Sequence, residues 1–413
     1  AVAKAAAAHG GIYDVHMRNE ADAIAESVEE VIAISERSGI PAMITHFKIR
    51  GKKNWGRSAA LIRRIDEARA AGIDVTMAQY PYTAGSTFLH VVIPPWYHSR
   101  GVDGLLRALR EERGAIKHDL DTRMDWENFS QSVGWEKIFV SSVVSEANQP
   151  CVGKSISQIA AERGHADPAD AAFDLLVEEQ LAVGMISFGL DEADITAIMR
   201  HPAVSFITDG LMSGRPHPRA YATYPRILGR YVREQGVLSL EEAVRKMTSL
   251  PARKIRLRNK GVIAEGYDAD LVVFDPDTVI DKNSYDDPRV HPAGIAHVLV
   301  NGVFVVEDAA LTGARPGRVI RGHPKGTAPG TPPARSTQGT AARAERGAAI
   351  TGCGNNTRIP APKRTAGERF QVPERIAFLM TGRHTFTPED GAFPAAAYPF
   401  PEIPMLTSSQ KVF

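Results

Sequence analysis

Over the first eighty positions the apolar residues alternate between two periods. Residues 11–16 (GIYDVH) read as a short strand. Residues 20–38 switch to helical spacing, with Ile24, Val28, Val31 and Ile32 on one stripe and Gly39 as the stop. Residues 40–46 (IPAMITH) are apolar almost throughout, the pattern of a strand buried on both faces. Residues 58–72 return to helical spacing, with Leu61, Ile62, Ile65 and Ala68 on one face, and 73–80 (IDVTMAQY) form a third strand. This β-α-β-α-β order at close spacing predicts a parallel α/β sheet or barrel.

The regularity lapses over residues 83–138, where charges and tryptophans interrupt every period. It resumes with a strand at 138–144, two helices within 154–182, a strand at 185–189, a helix at 191–201 and a strand at 203–207 that delivers Asp209. Residues 83–183 are expected to be a long insertion lying over the strand ends. Helices follow at 221–234 and 239–248, the second opened by Ser239 and Glu242 in capping-box spacing. From about 260 the period becomes that of strands, and Asn301-Gly302 between two apolar runs marks a hairpin. The expected organisation is therefore a partial barrel over 1–255, a small β module over 256–322, a disordered linker over 323–364, and a tail over 365–413 to which no fold is assigned.

Charge narrows the function classes. Lys and Arg number 49 against 48 Asp and Glu, a formal charge of +1, so neither a nucleic-acid nor a membrane surface is expected. No apolar run approaches the ~20 residues of a membrane span, and no secretory leader is visible. Two cysteines, Cys151 and Cys353, are too few for a disulfide framework, which points to a reducing cytoplasm.

Chemistry concentrates at strand ends. Three successive strands finish at His16, His46 and Tyr80, and a fourth leads to Asp209. In a parallel barrel these ends share one mouth. Two imidazoles and a carboxylate suit a zinc ion with an open position. Singly each is ambiguous. Lys48 reads as a solvated loop lysine, since Arg50, Lys52 and Lys53 follow it. Arg215 competes with Arg219, and Tyr82 with Tyr80. His217 has no evident chemical role, Cys151 reads as a small buried residue, and His90, His98 and His118 read as surface residues.

The motifs YDVHMRNE, ITHFKIRG, QYPYTAGST, TDG, GRPHPRAYATYPRILGRYVRE and LSLEEAVRKMTSLPARKIRL resemble the N-acyl-D-amino-acid deacylases, members of the amidohydrolase superfamily, in order from residue 1 to about 321. The resemblance implies the C-terminal part of a metal-dependent (β/α)8 barrel, with a long insertion after the third visible strand, plus a small β-sandwich and a disordered tail. It implies that His16 and His46 bind metal, and that Asp209 helps to hold or activate the attacking water. Lys48 becomes a polar active-site residue, Tyr80 the group that polarises the substrate carbonyl, and Arg219 the grip on the substrate carboxylate. The implied reaction is hydrolysis of a small N-acyl-D-amino acid to a carboxylate and a D-amino acid. The family's His-x-His pair and early Cys ligand have no counterpart here, and Ala78 stands where the family carries an acid. The expectation is thus an enzyme that needs an N-terminal half to complement it. The alternatives are a non-catalytic remnant or interaction protein, and an amidohydrolase of cyclic amides, which the carboxylate-binding arginine disfavours.

Overall fold

A computed structural model describes residues 1–320 and the backbone of residues 377 and 378. The expected linker (323–364) and nearly all of the tail (365–413) lie outside the described residues.

The β-α-β-α-β reading is observed. Strands β1 (Tyr13–Val15), β2 (Ala42–Ile44) and β3 (Val75–Gln79) pair in parallel, with Tyr13 opposite Ala42 and Ala42 opposite Val75. The helices between them, Ile24–Ser38 and Ser58–Ala70, bury Ile24, Val28, Val31 and Ile32 from one and Leu61, Ile65 and Ala68 from the other. Gly39 ends the first in the left-handed conformation (φ 68°) that a residue with a Cβ resists. That helix starts at Ile24 rather than at residue 20. Asn19 Oδ1 accepts from the N–H groups of Ala21 (2.9 Å) and Ala23 (3.1 Å), so residues 19–23 form a turn instead.

The segment that follows has its own sheet and core. Strands β4 (Ala84–Phe88), β5 (Ile138–Ser142) and β6 (Gly184–Phe188) form an antiparallel sheet in the order β4-β6-β5. The irregular stretch expected at 83–138 is largely helical, with helices at Gly101–Glu111, Arg113–Thr122 and Phe129–Val133. Leu105, Leu109, Ile116, Phe129, Ile159, Phe173 and Leu176 pack there with Val140 and Met185. The apolar run at 185–189, read as a strand without a sheet assigned to it, belongs to this second sheet. Apolar content marks a buried strand but does not say which sheet buries it.

After the helix Glu192–Arg200, strand β7 (Val204–Phe206) returns to pair in parallel with β3, Met77 opposite Val204, and completes a four-stranded sheet in the order β1-β2-β3-β7. Further along, β8 (Leu271–Phe274), β9 (Ile295–Val300), β10 (Val303–Glu307) and β11 (Ala310–Leu311) form an antiparallel sheet, to which residues 377 and 378 pair along β8. The hairpin at Asn301-Gly302 is observed. Both residues have positive φ (49° and 75°), as a type I′ turn requires. Among the described residues, no helix is long and apolar enough to cross a membrane.

One buried acid fixes a corner of the second unit. Glu179 accepts from the backbone N–H groups of Val144 (2.6 Å) and Ser145 (3.0 Å), the Asn148 amide (2.7 Å) and the Ser145 hydroxyl. Burial raises its pKa, but these donors outweigh that and bring it down to about 2. A carboxyl depressed on folding contributes stability above its unfolded pKa, and that contribution is lost as pH falls through the folded value. Glu179→Gln is expected to cost about 1.5–3 kcal/mol at pH 7. The difference between parent and variant urea midpoints should shrink progressively from pH 4.5 toward pH 2.

Candidate functional site

The site lies at the C-terminal ends of the parallel strands. His16 follows β1 directly, His46 stands two residues beyond β2, Tyr80 follows β3, and Asp209 stands three residues beyond β7. Parallel pairing puts these ends on one edge of the sheet, and all four residues line a cavity of about 690 Å³. Two of them, His46 (φ 43°) and Asp209 (φ 47°), have left-handed backbones. Non-glycine residues adopt that region at a cost that surrounding structure must sustain, and such residues gather at functional sites.

His16 and His46 face each other, Nδ1 of the first 3.1 Å from Nε2 of the second. Two nitrogens on one tetrahedral zinc, each bound at about 2.0–2.1 Å, lie ~3.3 Å apart. The pair therefore fits one borderline cation. Desolvation lowers the His16 pKa, and Lys48, His46 and Arg50 add to that against an opposing pull from Glu20. A neutral imidazole is the form that binds metal.

The third group near this pair is Glu20. Its carboxylate and the two imidazoles offer ligand atoms that all lie within 4.8 Å of one another. Asp209, expected as the third metal ligand, is not in that group. Its Oδ2 lies 2.9 Å from Arg219 Nη2. This ion pair, and not the imidazole pair, is the contact of the Asp209 carboxylate.

Glu20 is fully buried among cations. Lys48 Nζ donates to its Oε1 (2.5 Å), and Arg50 Nη2 donates to its Oε2 (3.0 Å). Burial alone raises the Glu20 pKa, but Lys48, His46 and Arg50 together hold it well below the usual carboxylate range. Lys48 is thus a buried ion-pair partner and not a solvated loop lysine. Glu127 joins from the second unit, with Oε1 accepting from the Glu20 N–H (3.2 Å) and 3.3 Å from Arg50 Nε. Neither Glu20 nor Glu127 stood out in the sequence. The one available signal was an acid four residues after His16 in HMRNE, which reads equally well as an ordinary helix-start acid.

The Tyr80 hydroxyl is buried and without a hydrogen-bond partner. The Arg219 guanidinium stacks 4.4 Å from the Tyr80 ring centre and donates to the Ser86 carbonyl (3.0 Å), while its buried Nε is unpartnered. Arg215 turns away to Tyr285 O (2.9 Å) and Asp286. Of the competing pairs, Arg219 and Tyr80 line the cavity, whereas Arg215 and Tyr82 do not. His217 positions the arginine loop. Its Nδ1 accepts from the Arg219 N–H (3.0 Å) and its Nε2 lies 3.0 Å from the Ala84 carbonyl. Burial, then the Arg219 charge, hold its pKa well below normal, so it is a neutral strut between the loop and β4. His90 and His98, expected at the surface, line the cavity beside Phe88, Ile93 and Trp126. Cys151 is buried, as expected.

This arrangement can bind a cation between two imidazoles, place a carboxylate and a phenol nearby, and offer an arginine to an anion. Comparison with known proteins points the same way. Residues 152–306 match the amidohydrolase family. The chain is 39% identical over 321 residues to an N-acyl-D-glutamate deacylase of Alcaligenes xylosoxydans xylosoxydans, covering 78% of this chain and 56% of that protein. It is 37% identical over 320 residues to a D-aminoacylase of the same organism, covering 77% and 56%. Among solved structures, the N-acyl-D-glutamate deacylase of Bordetella bronchiseptica, complexed with zinc and a phosphonate mimic of the tetrahedral intermediate, superposes with a TM-score of 0.60 at 35% identity. That match covers 74% of this chain and 55% of the other. The chain spans about half the length of the curated relatives it matches.

Proposed function

The chain is a relative of the N-acyl-D-amino-acid deacylases, amidohydrolases that it matches over about half their own length, and on that premise we propose that it carries one side of a metal-dependent deacylase site. The reaction is hydrolysis of an N-acyl-D-amino acid to a carboxylate and a D-amino acid. The observation that carries this reading is the convergence of His16, His46, Tyr80, Asp209 and Arg219 on one cavity from four separate strand ends and the loop after the last.

The residues divide the work. His16 and His46 would hold zinc, whose contribution when bound is Lewis acidity: a polarised carbonyl and an attacking water of lowered pKa. Arg219, which lines the cavity, takes the substrate carboxylate through its planar fork. That exchange releases Asp209 from its ion pair with Arg219, so substrate binding frees the carboxylate that accepts the proton from water and returns it to the leaving nitrogen. The Tyr80 hydroxyl, which has no partner in the described structure, donates to the oxygen that gains charge. Lys48 Nζ lies 5.8 Å from the Tyr80 ring centre.

The architecture in this reading is part of a (β/α)8 barrel over residues 1–255, followed by the β module. Both β1 and β7 are edge strands among the described residues. Further parallel strands, supplied by an N-terminal complementing segment, would pair there and bring the remaining metal ligands. The substrate is a small molecule, and the two cysteines of the sequence suit a reaction in a reducing cytoplasm.

The test is release of free D-amino acid from N-acyl-D-amino acids by the chain assembled with such a segment, together with zinc content by elemental analysis. Absence of both activity and zinc overturns the reading. A sharper test concerns the anion. Arg219→Lys keeps the charge and loses the fork, so KM should rise by roughly tenfold or more while kcat changes less. An unchanged KM, with Arg215→Lys raising it instead, would assign the grip to the other arginine.

A further inference from the structure

The fully buried Glu20 carboxylate has no part in the division of work above, although it lies against a metal-site imidazole. We infer that Glu20 is a positioning residue: it accepts a hydrogen bond from His46 Nδ1–H and so leaves the His46 Nε2 lone pair aimed at the cation shared with His16. The inference rests on reading His16 and His46 as that shared site.

The geometry sets two neighbours against each other at His46 Nδ1. Glu20 Oε1 stands 2.9 Å away and can only accept, whereas Lys48 Nζ stands 2.7 Å away and can only donate. If Nδ1 were bare it would accept a hydrogen bond from Lys48, and the ring's single N–H would then sit on Nε2, pointed at His16 Nδ1 3.1 Å away. That tautomer makes a histidine–histidine hydrogen bond and leaves no space for a cation between the rings. If Nδ1 carries the proton, it donates to Glu20 and Nε2 is free to bind.

The surrounding hydrogen bonds favour the second arrangement. Lys48 has acceptors besides Nδ1, since its ammonium donates to Glu20 Oε1 (2.5 Å) and to the His46 carbonyl (2.9 Å), whereas Glu20 Oε1 has no proton to give Nδ1. The carboxylate is held by donors on both oxygens, with Arg50 on Oε2 at 3.0 Å. It is therefore anchored independently of the imidazole it orients. The backbone contributes too: the left-handed conformation at His46 turns its carbonyl toward Lys48. A carboxylate that orients a ligating histidine through its other ring nitrogen is a common means of tuning a metal site, and its loss costs about 10–100-fold in metal affinity. Here it also ties two strand ends together, since Glu20 lies on the loop after β1 and His46 on the loop after β2.

The test reads the tautomer directly. Long-range 15N–1H correlation spectra of the metal-free chain at neutral pH should show His46 protonated at Nδ1 and bare at Nε2. A parent spectrum showing His46 Nε2–H overturns the proposal without any variant. Removing Glu20 alone leaves Lys48 buried and uncompensated, so the variants are made on a Lys48→Met background. With Glu20→Gln an acceptor oxygen remains, and both the tautomer and the zinc dissociation constant should stay within a few-fold of that background. With Glu20→Leu the acceptor is gone; the tautomer should shift toward Nε2–H, and the zinc dissociation constant, measured by chelator competition, should rise about 10–100-fold. A merely structural role predicts that Gln and Leu lower the melting temperature while leaving the tautomer unchanged, and that result also overturns the proposal. If the parent chain takes up no zinc, the shared-cation reading fails, while the tautomer spectra still decide the role of Glu20.

Discussion

Replacing Asp209 by asparagine is expected to lower kcat by about 10²–10⁴-fold in the assembled enzyme, because it removes the proton acceptor while keeping the shape. The position admits asparagine without new strain, since Asn tolerates the left-handed backbone (φ 47°) that Asp209 adopts. The ion pair with Arg219 is lost at the same time. Arg219 then meets the substrate carboxylate without a competing anion, so KM should fall or hold while kcat collapses. That opposite movement separates loss of the base from general damage to the site. Turnover of an N-acetyl-D-amino acid within about tenfold of the parent would exclude Asp209 as the base.

Losing a metal-site histidine should be of comparable severity. His46→Ala removes one of the two nitrogens that face each other at 3.1 Å. A metal contributes several kcal/mol of stabilisation to the developing charge, which corresponds to a rate loss of about 10³-fold or more. Zinc content should fall in parallel. Chelation of the parent should reproduce the loss, and added zinc should reverse it in the parent but not in the variant. Full activity in a zinc-free preparation would remove the metal from the mechanism.

Much of the parallel sheet was legible because its signals are local. The stripe Ile24, Val28, Val31, Ile32 and the stop at Gly39 lie within one helix length, and the observed helix buries those residues. Strand-end chemistry could be read for the same reason: His16, His46 and Tyr80 each follow an apolar run. The helices at 101–122 could have been found, since Leu105 and Leu109 stand at helical spacing. They were obscured by the charges that cover their outer faces. Glu20 was not legible because its meaning depends on Lys48 and Arg50, 28 and 30 positions away along the chain. Glu127 is more remote still, 107 positions from the N–H it meets. Likewise, the choice between sheets for β6 was made by its pairing with β4 and β5, which no period in residues 184–188 encodes.

The unit built on β4, β5 and β6 leaves the parallel sheet and returns to it at nearly the same point: the Leu190 N–H donates to the Thr83 carbonyl across 3.1 Å. This has a consequence for how the chain folds. Strands β3 and β7 are adjacent in space but separated by more than a hundred residues, and joining them from an unfolded chain means closing one very long loop. If the intervening segment collapses first around its own core, its two ends are already together, and β7 reaches β3 as though the connection were short. The order of events is then set by the inserted unit, with Glu127 meeting Arg50 only after both parts have formed. Substitutions in that unit's core should therefore appear in kinetics as slow pairing of β3 with β7, a delay in a sheet to which the changed residue does not belong.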